Sequence, residues 1–386
     1  MARQKIVEKT PLKKGRANFE IVGKAKIGDY TFKIDELSKT SDWIYNRLNL
    51  GVDTGQGNVV YSEGMGGYGS ERKENWVYNV KGKKLKEGTE DKYVDDFSNI
   101  FNIAWEDRNT KSIIEEIGNG SFLRAGIEKD KDGKLFTKKF LAEYDLIQYL
   151  EENKELLKDA TVRIKGEIQY SLYNDNIQQK KNIKSIYISE VEEDKFKAEF
   201  QQTILIDKDS IGRKDNETGL YPLYAKVVDY TKLYNGKEVK QNIPFSKTFY
   251  LENEKLLKLL KVRKGVTEIQ VVGDIIEGQA KAVVELDDLP DDIKELIEIG
   301  AYTMEEASSA LSIKGERVNQ WIIRKPVIIM RGEEDNRVPV ILRTDEKYKN
   351  EDLIFDFMIE EEEEVESKGI EVVEDDIDED WLDELG

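Results

Sequence analysis

Short runs in which apolar and polar residues alternate recur along the first part of the chain. Each run is rich in aromatic or β-branched residues and is bounded by segments that contain glycine or aspartate, which is typical of strands separated by turns. The runs are Phe19–Ile27, Tyr30–Ile34, Trp43–Leu50, Asn58–Tyr61 and Trp76–Val80. They predict an antiparallel sheet or barrel, interrupted by helical spacing at Asp95–Trp105 and again at Ser112–Ile117.

A second β-rich set begins near Thr161, after the helix-like segment Glu151–Lys158. Within it, Asn235-Gly236 separates two strand-like runs and predicts a type I′ hairpin, because both residue types tolerate positive φ. A helix is predicted over Leu251–Leu260, and Glu268–Ile276 follows it as a closing strand. This order fits a small Greek-key barrel better than a sandwich.

From Asp291 onward the pattern favours short helices, and a capping box at Thr303–Glu306 starts the second of them. Pro326 ends this region, because proline cannot continue a helix. Val327–Met330 and Val338–Leu342 then predict a final hairpin.

The residue composition excludes most catalytic chemistries. The 386 residues include no cysteine and no histidine. Disulfides, zinc ribbons, iron–sulfur clusters, thiol nucleophiles and the Ser-His-Asp triad are therefore excluded. An enzyme with this composition would depend on carboxylates with Mg²⁺, on lysine chemistry or on paired carboxylates. We expect a protein that binds rather than one that catalyses, without a metal or cofactor.

Charge is distributed unevenly along the chain. The net charge is −19, but residues 360–386 contain 15 acidic residues and one lysine, which gives −14. The remaining 59 basic and 64 acidic residues give −5, so the body of the chain is close to neutral. No window approaches 18 uninterrupted apolar residues, and the basic start lacks the apolar stretch of a secretory signal, so we expect a cytoplasmic protein.

Three motifs resemble ligand sites but have simpler explanations. Gly64–Gly69 satisfies G-x-G-x-x-G, yet a strand-like run follows it instead of a helix, which favours a flexible β–β loop over a dinucleotide site. Glu128–Gly133 imitates half of an EF-hand loop, but Lys139 occupies the position that needs a glutamate, so a hairpin turn at Asp132-Gly133 is expected. The acidic pairs that flank Pro290 are interpreted as helix caps or solvated charges.

Aromatic residues interleaved with lysine and arginine form the most informative pattern in the body of the chain. Exposed rings stack on bases at roughly 1–3 kcal/mol per base, and cations displace the counterions of phosphates, so the pattern predicts binding of single-stranded nucleic acid. Half or more of the rings are equally explained as core residues, since strand aromatics often pack inward. The predicted binding residues are Trp43, Tyr45, Arg47, Tyr61, Tyr68, Arg72, Lys73, Trp76, Tyr78, Lys165, Tyr170, Tyr173, Lys180, Lys181, Lys184, Tyr187, Tyr230, Tyr234 and Lys247.

The C-terminal segment, residues 359–386, has the composition of a disordered acidic tail. It ends in an apolar tip that a purely solubilising tail does not need. The tip predicts docking into a basic-rimmed apolar pocket of a partner, and the acidic string predicts competition with nucleic acid for the protein's own basic groove; plain charge repulsion is the alternative. The predicted partner-binding residues are Asp380, Trp381, Leu382, Asp383, Glu384 and Leu385.

Four stretches of the sequence carry a resemblance to a known family, namely Leu48–Tyr61, Gly64–Tyr68, Val162–Tyr170 and Ile183–Tyr187. They are similar to parts of the single-stranded DNA-binding proteins of tailed bacteriophages that infect Gram-positive hosts. The ending resembles the acidic, hydrophobic-tipped tails of bacterial and phage single-stranded DNA-binding proteins. The resemblance implies OB-folds that coat single-stranded DNA during replication and recombination, and a tail that recruits replication enzymes.

We therefore expect a mainly β (α+β) chain with two OB-like Greek-key barrels, a small helical and β C-terminal module and a disordered acidic tail. The expected parts are a basic flexible arm at 1–16, OB-like domain 1 with helical insertions at 17–158, OB-like domain 2 at 159–287, the module at 288–358 and the tail at 359–386. The expected function is sequence-tolerant binding of single-stranded DNA, with a polymerase, helicase or primase recruited through the tail. The alternatives are a Mg²⁺-dependent nuclease or polymerase accessory enzyme, and a virion or scaffolding protein.

Overall fold

Strands dominate the part of the chain that the structure describes. The computed structural model describes residues 9–69, 76–87, 90–173, 176–216, 218–279, 294, 296–297, 317–332 and 337–358. The strands are β1 (Ala17–Lys26), β2 (Phe32–Leu37), β3 (Trp43–Asp53), β4 (Val59–Gly69), β5 (Trp76–Glu87), β6 (Glu90–Ala104), β7 (Leu123–Lys129), β8 (Leu135–Phe140), β9 (Thr161–Tyr173), β10 (Asn176–Ile188), β11 (Lys197–Ile206), β12 (Tyr221–Tyr234), β13 (Lys237–Leu251), β14 (Val266–Gln279), β15 (Arg317–Pro326), β16 (Ile328–Arg331), β17 (Val338–Ile341) and β18 (Arg343–Tyr348). The helices are α1 (Lys111–Ile114), α2 (Glu143–Glu152), α3 (Lys154–Leu157) and α4 (Glu254–Leu260).

Strand pairing joins 14 of these strands into one mixed sheet, and the pairings close two rings of five strands. Ring one follows the order β1–β3–β4–β10–β9 and returns from β9 to β1. Ring two follows the order β11–β12–β13–β15–β14 and returns from β14 to β11. In both rings the third strand pairs in parallel with the last one, and the other pairings are antiparallel. The mainly β expectation is confirmed.

A helix lies between the third and fourth strands of each ring. In ring one, α2 buries Leu146, Ile147 and Leu150, whose helical spacing forms one apolar stripe. In ring two, Asn253 caps α4 by accepting the backbone N–H of Lys255 at 2.7 Å, which satisfies a donor that the first helical turn leaves unpaired. Both rings therefore repeat the same order of strands and helix.

The two rings are joined through their first strands. β1 and β11 pair antiparallel with Phe19 opposite Phe200. Each phenyl ring lies on a glycine of the neighbouring fourth strand: a Cβ atom at Gly166 would be 2.7 Å from the ring of Phe19, and one at Gly273 would be 2.6 Å from the ring of Phe200. Because these two positions carry no side chain, the phenyl rings can lie across the fourth strands where ring one and ring two meet.

The limits of the rings differ from the predicted domain limits. β9 and β10 complete ring one although they lie within the predicted domain 159–287, so the change of ring falls between β10 and β11. β15 completes ring two although it lies within the predicted module 288–358. The limits differ because the local pattern predicts a strand but not its partner. In addition, a single hydrophobic cluster runs through both rings, so the core does not separate them.

The N-terminal residues that the structure describes are docked, which corrects part of the expected flexible arm 1–16. Leu12 is buried, and the ammonium of Lys14 lies 2.6 Å from the buried carboxylate of Asp229. Arg16 and Thr203 exchange hydrogen bonds that extend the pairing of the first strands, with distances of 3.0 and 2.7 Å. An apolar residue and a buried acidic partner hold residues 9–16 in place.

Predictions of single turns and helices have mixed outcomes. The Asn235-Gly236 hairpin is confirmed, with φ of 44° and 80°, and so are the Asp132-Gly133 turn and the β16–β17 hairpin. The helix predicted over Asp95–Trp105 is wrong: most of it belongs to β6, because pairing with β5 outweighs the local spacing. The capping box at Thr303–Glu306 and the tail lie outside the described residues.

Candidate nucleic-acid interface

The outward side of β3 carries the first predicted residues. Leu48, Leu50 and Val52 point inward and are buried, so the alternate residues of the strand face outward. Among them, Trp43 and Tyr45 stack with ring centroids 5.1 Å apart and planes 21° apart. A stacked pair of half-buried rings at the start of this strand therefore lies on the outer side of ring one.

The neighbouring strand β4 extends this surface. Tyr61 and Met65 are exposed, and the strand register places them opposite Gly51 and Arg47 of β3. A Cβ atom at Gly51 would be 3.0 Å from the ring of Tyr61, so the glycine lets this ring lie across the strand. We name Trp43, Tyr45, Arg47, Tyr61 and Met65 together the ring-one face.

Two basic residues accompany the ring-one face. Arg47 is exposed, and the register of β2 on β3 places the exposed Lys33 directly opposite it. Within the part of the chain that the structure describes, neither side chain has an acidic partner within ion-pair distance. Glu36 lies opposite Tyr45, so the surface carries both signs of charge with the unpaired cations at its centre.

The glycine-rich motif lies in strand β4, which corrects the expected flexible loop. A Cβ atom at Gly66 would be 2.6 Å from the backbone nitrogen of Tyr144, and one at Gly67 would be 2.1 Å from the carbonyl oxygen of Ile44. The glycines therefore allow α2 and β3 to lie directly on β4. Their role here is close packing of backbone, and the next element that the structure describes after the motif is strand β5, not a helix.

Tyr68 has the opposite strand parity and does not belong to the ring-one face. Its ring packs 5.2 Å from that of Trp105 and 5.7 Å from that of Tyr144. Arg108 lies 3.9 Å above Trp105 and holds Asp145 with two hydrogen bonds of 2.7 and 2.9 Å. This cluster fixes the start of α2 against ring one, so the expected binding role of Tyr68 is corrected to packing.

Hydrogen bonds brace β2 and α2 on the inner side of β3. The buried amide of Asn46 accepts the backbone N–H of Asp35 at 2.8 Å and donates to the carbonyl of Tyr144 at 3.0 Å. The hydroxyl of Tyr144 donates to Asp35. Burial, and then this hydrogen bond, raise the pKa of Tyr144 above its ordinary value. These hydrogen bonds therefore hold in place strand β3, whose outer side carries the stacked pair of Trp43 and Tyr45.

Three predicted binding residues of the second half point inward, two of them buried and Lys247 half-buried, which corrects their expected role. Tyr170 is 1% exposed and Lys181 is 8% exposed. Lys181 of ring one binds both carboxylate oxygens of Glu277 of ring two, at 2.7 and 2.9 Å. Lys247 lies 4.6 Å above the ring of the buried Trp321. All three share strand parity with apolar residues, and this parity turns them away from solvent.

Burial also perturbs the titration of these groups. It lowers the pKa of Lys247 to about 8, with Glu277 acting against the shift and Lys181 adding to it. Burial raises the pKa of Tyr170, and the charge of Asp229 adds to the effect. The backbone N–H of Tyr170 donates to Asp229 at 2.8 Å. The contacts of Tyr170 and Lys181 connect the two rings, and the inward direction of all three side chains turns them away from a bound base.

Lys165 is exposed but lies in a row of paired charges. Glu20 lies 2.9 Å from Arg163, 3.7 Å from Lys165 and 3.5 Å from Lys197. The row continues through Glu199 to Arg324, which lies 2.9 Å from Asp274. Because each cation already faces a carboxylate, this side of the junction offers little net attraction for phosphate.

The predicted residues of β9 and β10 are dispersed. Tyr173 is exposed at the end of β9. Tyr187 covers Gly126, where a Cβ atom would be 2.4 Å from its ring, and Lys180 is half-buried. Lys184 occupies the bulge of β10, and its charge lowers the pKa of Glu143 against a larger rise caused by burial. These residues do not extend the ring-one face.

In ring two, β12 carries a second series of outward residues. Tyr230 and Tyr224 are 44% and 57% exposed, and Lys226 donates to the hydroxyl of Ser246 at 2.8 Å. Tyr234, predicted as a binding residue, packs 5.1 Å from the ring of Phe357. Tyr224 and Met65 were not among the predicted binding residues, although their parity with Lys226 and Tyr61 was the signal for them.

The remaining predicted residues fall elsewhere. Trp76 and Tyr78 belong to β5, which pairs with β6 in a separate two-stranded sheet. Arg72 and Lys73 lie outside the described residues, and so do the tail residues 380–385. Among the described residues, no group of three or more acidic side chains could hold a metal ion, and no helix has the length and apolar character that crossing a membrane requires.

Comparison with known proteins gives a match to a family model and matches to solved structures. No curated protein matches the chain. Among solved structures, the chain matches the crystal structure of a deletion mutant of the single-stranded DNA-binding protein from Thermus aquaticus, with 7% identity over 68% of this chain and 88% of that chain and a TM-score of 0.29. A likeness this weak carries no argument about fold or function. The model of the family YorF matches residues 82–292, which is more than half of the sequence. The chain therefore belongs to the YorF family.

Proposed function

We propose that this protein binds single-stranded DNA without sequence preference, through the ring-one face. The observation that carries the proposal is the stacked pair of Trp43 and Tyr45 beside Arg47, which has no acidic partner among the described residues. Aromatic rings offer stacking surfaces to bases of any sequence, because every base has a flat π face. An unpaired guanidinium beside them can contact the phosphate that follows each stacked base.

The strand order supports an OB-like description of both rings. The OB-fold is a five-stranded Greek-key barrel that binds oligonucleotides on its second and third strands. Each ring has five strands, with the last two inserted between the first and the third. The ring-one face lies on the second and third strands of ring one. The position of the aromatic pair thus agrees with the binding surface that this fold uses.

The proposed biological role follows from the sequence resemblance. Similarity of four stretches to phage single-stranded DNA-binding proteins supports a role in protecting DNA during replication and recombination in the cytoplasm of a host cell. The acidic tail with its apolar tip would recruit replication proteins. Charge on the ring-one face comes from few residues, so affinity would depend on stacking more than on the number of phosphate contacts.

A titration with a labelled dT oligonucleotide tests the proposal. We expect saturable binding that weakens as salt rises, and at least about tenfold weaker binding for the Trp43→Ala/Tyr45→Ala variant, since each stacked base contributes roughly 1–3 kcal/mol. Phe136→Ala is the matched control, because this exposed aromatic ring lies on β8, outside both rings. Fluorescence anisotropy of the oligonucleotide is the measurement. Absence of binding at low salt, or equal affinities of the variant and the wild type, would contradict the proposal.

A further inference from the structure

Ring two presents the same kind of surface on its second strand. Tyr224 and Lys226 face outward on β12, and Tyr230 and Lys232 repeat the spacing six residues later. In ring one, Tyr45 and Arg47 have the same spacing on the equivalent strand β3. An aromatic residue followed two positions later by a cation is therefore displayed on the outer side of both rings.

Two segments of the chain lie across this surface of ring two. We name residues 9–14 and 349–358 together the clasp. Leu12 packs on Val228 of β12, and Leu353 and Phe355 pack around the same cluster. Phe357 stacks on Phe355 with ring centroids 5.3 Å apart and contacts Tyr234. Aromatic rings of the clasp thus occupy the side of β12 on which bases would stack.

The two halves of the clasp hold each other through Asp352. This buried carboxylate accepts the backbone N–H of Thr10 at 2.9 Å with one oxygen and that of Lys349 at 2.9 Å with the other. The ammonium of Lys9 donates to the carbonyl of Ile354 at 2.6 Å. On the ring side, Asn242 of β13 donates to the carbonyl of Leu12 at 2.9 Å. These are polar contacts between neighbouring segments, and each can be replaced by water when the segments separate.

The clasp covers the surface incompletely. A cavity of about 350 Å³ remains between the clasp and ring two, bordered by Leu12, Phe355, Tyr230 and Asn242. Tyr224 remains 57% exposed on the other side of the clasp. The tyrosine side chains that could stack on bases therefore extend beyond both edges of the clasp. A strand of DNA can begin contact at these exposed side chains.

We infer that ring two carries a second site for single-stranded DNA on β12, and that the clasp and the DNA compete for it. The inference rests on the proposed function, because it assigns to ring two the ligand proposed for ring one. Leu12 packs at Val228, between the exposed Tyr224 and Tyr230, so a DNA chain that stacks on both tyrosines must displace it. Phe357 covers Tyr234 beyond Tyr230 and limits the surface at that end. Displacement lengthens the stretch of DNA that one molecule covers.

The experiment compares the wild-type full-length chain with variants in which the clasp is weakened or closed. The Phe355→Ala/Phe357→Ala variant weakens the clasp, and Ile354→Ala is its matched control, because this side chain is 47% exposed within the same segment. A closed form is obtained with the Lys9→Cys/Ile354→Cys variant joined by a flexible bismaleimide, which is specific because the sequence contains no other cysteine. The number of dT nucleotides covered per molecule is measured by titration with poly-dT, and hydrogen exchange follows residues 349–358.

We expect the weakened clasp to increase the covered length by roughly one further OB unit, about 4–16 nucleotides. Addition of Tyr224→Ala/Tyr230→Ala to that variant should reverse the increase, and the closed form should cover the shortest length. Circular dichroism shows whether each variant is folded. Equal covered lengths in the weakened, closed and wild-type forms would overturn the inference while leaving the proposed function intact. Binding by the weakened variant alone would support the second site and contradict the ring-one proposal, whereas no binding by any form would overturn both.

Discussion

Ring one and ring two have the same strand order, yet one surface is open and the other is covered by the chain itself. On β3 the outward series is Tyr45, Arg47 and Asn49, and on β12 it is Tyr224, Lys226 and Val228. The polar third residue of the first series contrasts with the apolar third residue of the second. Val228 is buried in a hydrophobic cluster that includes Leu12 of the clasp.

The difference lies in an outward position of the second strand and in the segments that pack on it. The order of strands places the outward side of the second strand in the same position in both rings. One apolar residue on that side provides about 1.5–3 kcal/mol when it is fully buried, and the Lys14–Asp229 ion pair and the hydrogen bonds of the clasp add to it. The strand order is shared by the rings, and the covering of the outer side in ring two depends on an apolar outward position together with the segments that pack on it.

The largest expected effect tests whether the two rings share one folding transition. In Gly166→Ala the new Cβ atom would lie 1.9 Å from the carbonyl oxygen of Asn182, and in Gly273→Ala it would lie 2.1 Å from that of Ile322. Because a backbone oxygen cannot move aside cheaply, each variant should lower the free energy of unfolding by about 1–3 kcal/mol or more. Urea unfolding followed by circular dichroism and by fluorescence measures both values.

Gly28→Ala is the control for these variants, because no atom lies within 4 Å of the position of its Cβ atom. Since one hydrophobic cluster extends through both rings, both glycine variants should shift the same single transition. A first transition that is sensitive only to Gly166 and a second that is sensitive only to Gly273 would show that the rings fold independently.

Much of the ring-one face could be predicted from the sequence, because strand parity is a local property. Trp43, Tyr45 and Arg47 are two residues apart, and their common side follows from that spacing. Parity also carried the signal for the corrected residues: Tyr170 shares it with Ile168, and Lys181 with Ile183. For those residues, apolar neighbours on the same side of the strand indicate burial, and this signal was more reliable than the aromatic or basic residue type that suggested a binding role.

Contacts between distant segments were beyond what the sequence pattern could specify. The pairing of Lys181 with Glu277 and the packing of Leu12 on Val228 join residues that are far apart in the chain. Each depends on strand partners that alternation does not encode, and the same limitation displaced the predicted domain limits. The clasp therefore became apparent only in the structure, although the apolar Leu12 in a basic segment was a sign that this segment is docked.

A smaller effect concerns the pH dependence of the clasp. Burial raises the pKa of Asp352, but the backbone N–H groups of Lys349 and Thr10 outweigh it and hold the pKa below its ordinary value. The folded-state pKa is therefore lower than that of the unfolded chain. The stabilisation is fully present above about pH 4 and is lost as pH falls through the folded-state value.

Asp352→Asn should therefore loosen the clasp by about 1–2 kcal/mol at neutral pH and by less in acid, where the wild-type carboxyl is itself protonated. Hydrogen exchange of residues 349–358, measured from pH 7 downward on both proteins, gives the difference. The ring-one face should keep its affinity for dT at neutral pH, since Asp352 lies on ring two. A constant difference between the two proteins across this pH range would contradict the assigned role of the carboxylate.

Removal of residues 359–386 should have the smallest effect on DNA binding. The deletion takes 15 acidic residues and one lysine from the chain, so repulsion of phosphate decreases and affinity for dT should stay the same or rise by no more than about tenfold at low salt. Because the deleted segment follows Met358, directly after the part of the clasp that lies on ring two, the gain should be larger when the clasp is weakened by Phe355→Ala/Phe357→Ala.

Anisotropy titrations at low and high salt on the truncated and full-length forms measure the change in affinity for dT. A pull-down of polymerase, helicase or primase should lose its signal on truncation. Weaker DNA binding by the truncated form would show that the tail contributes to the DNA site instead of competing with it.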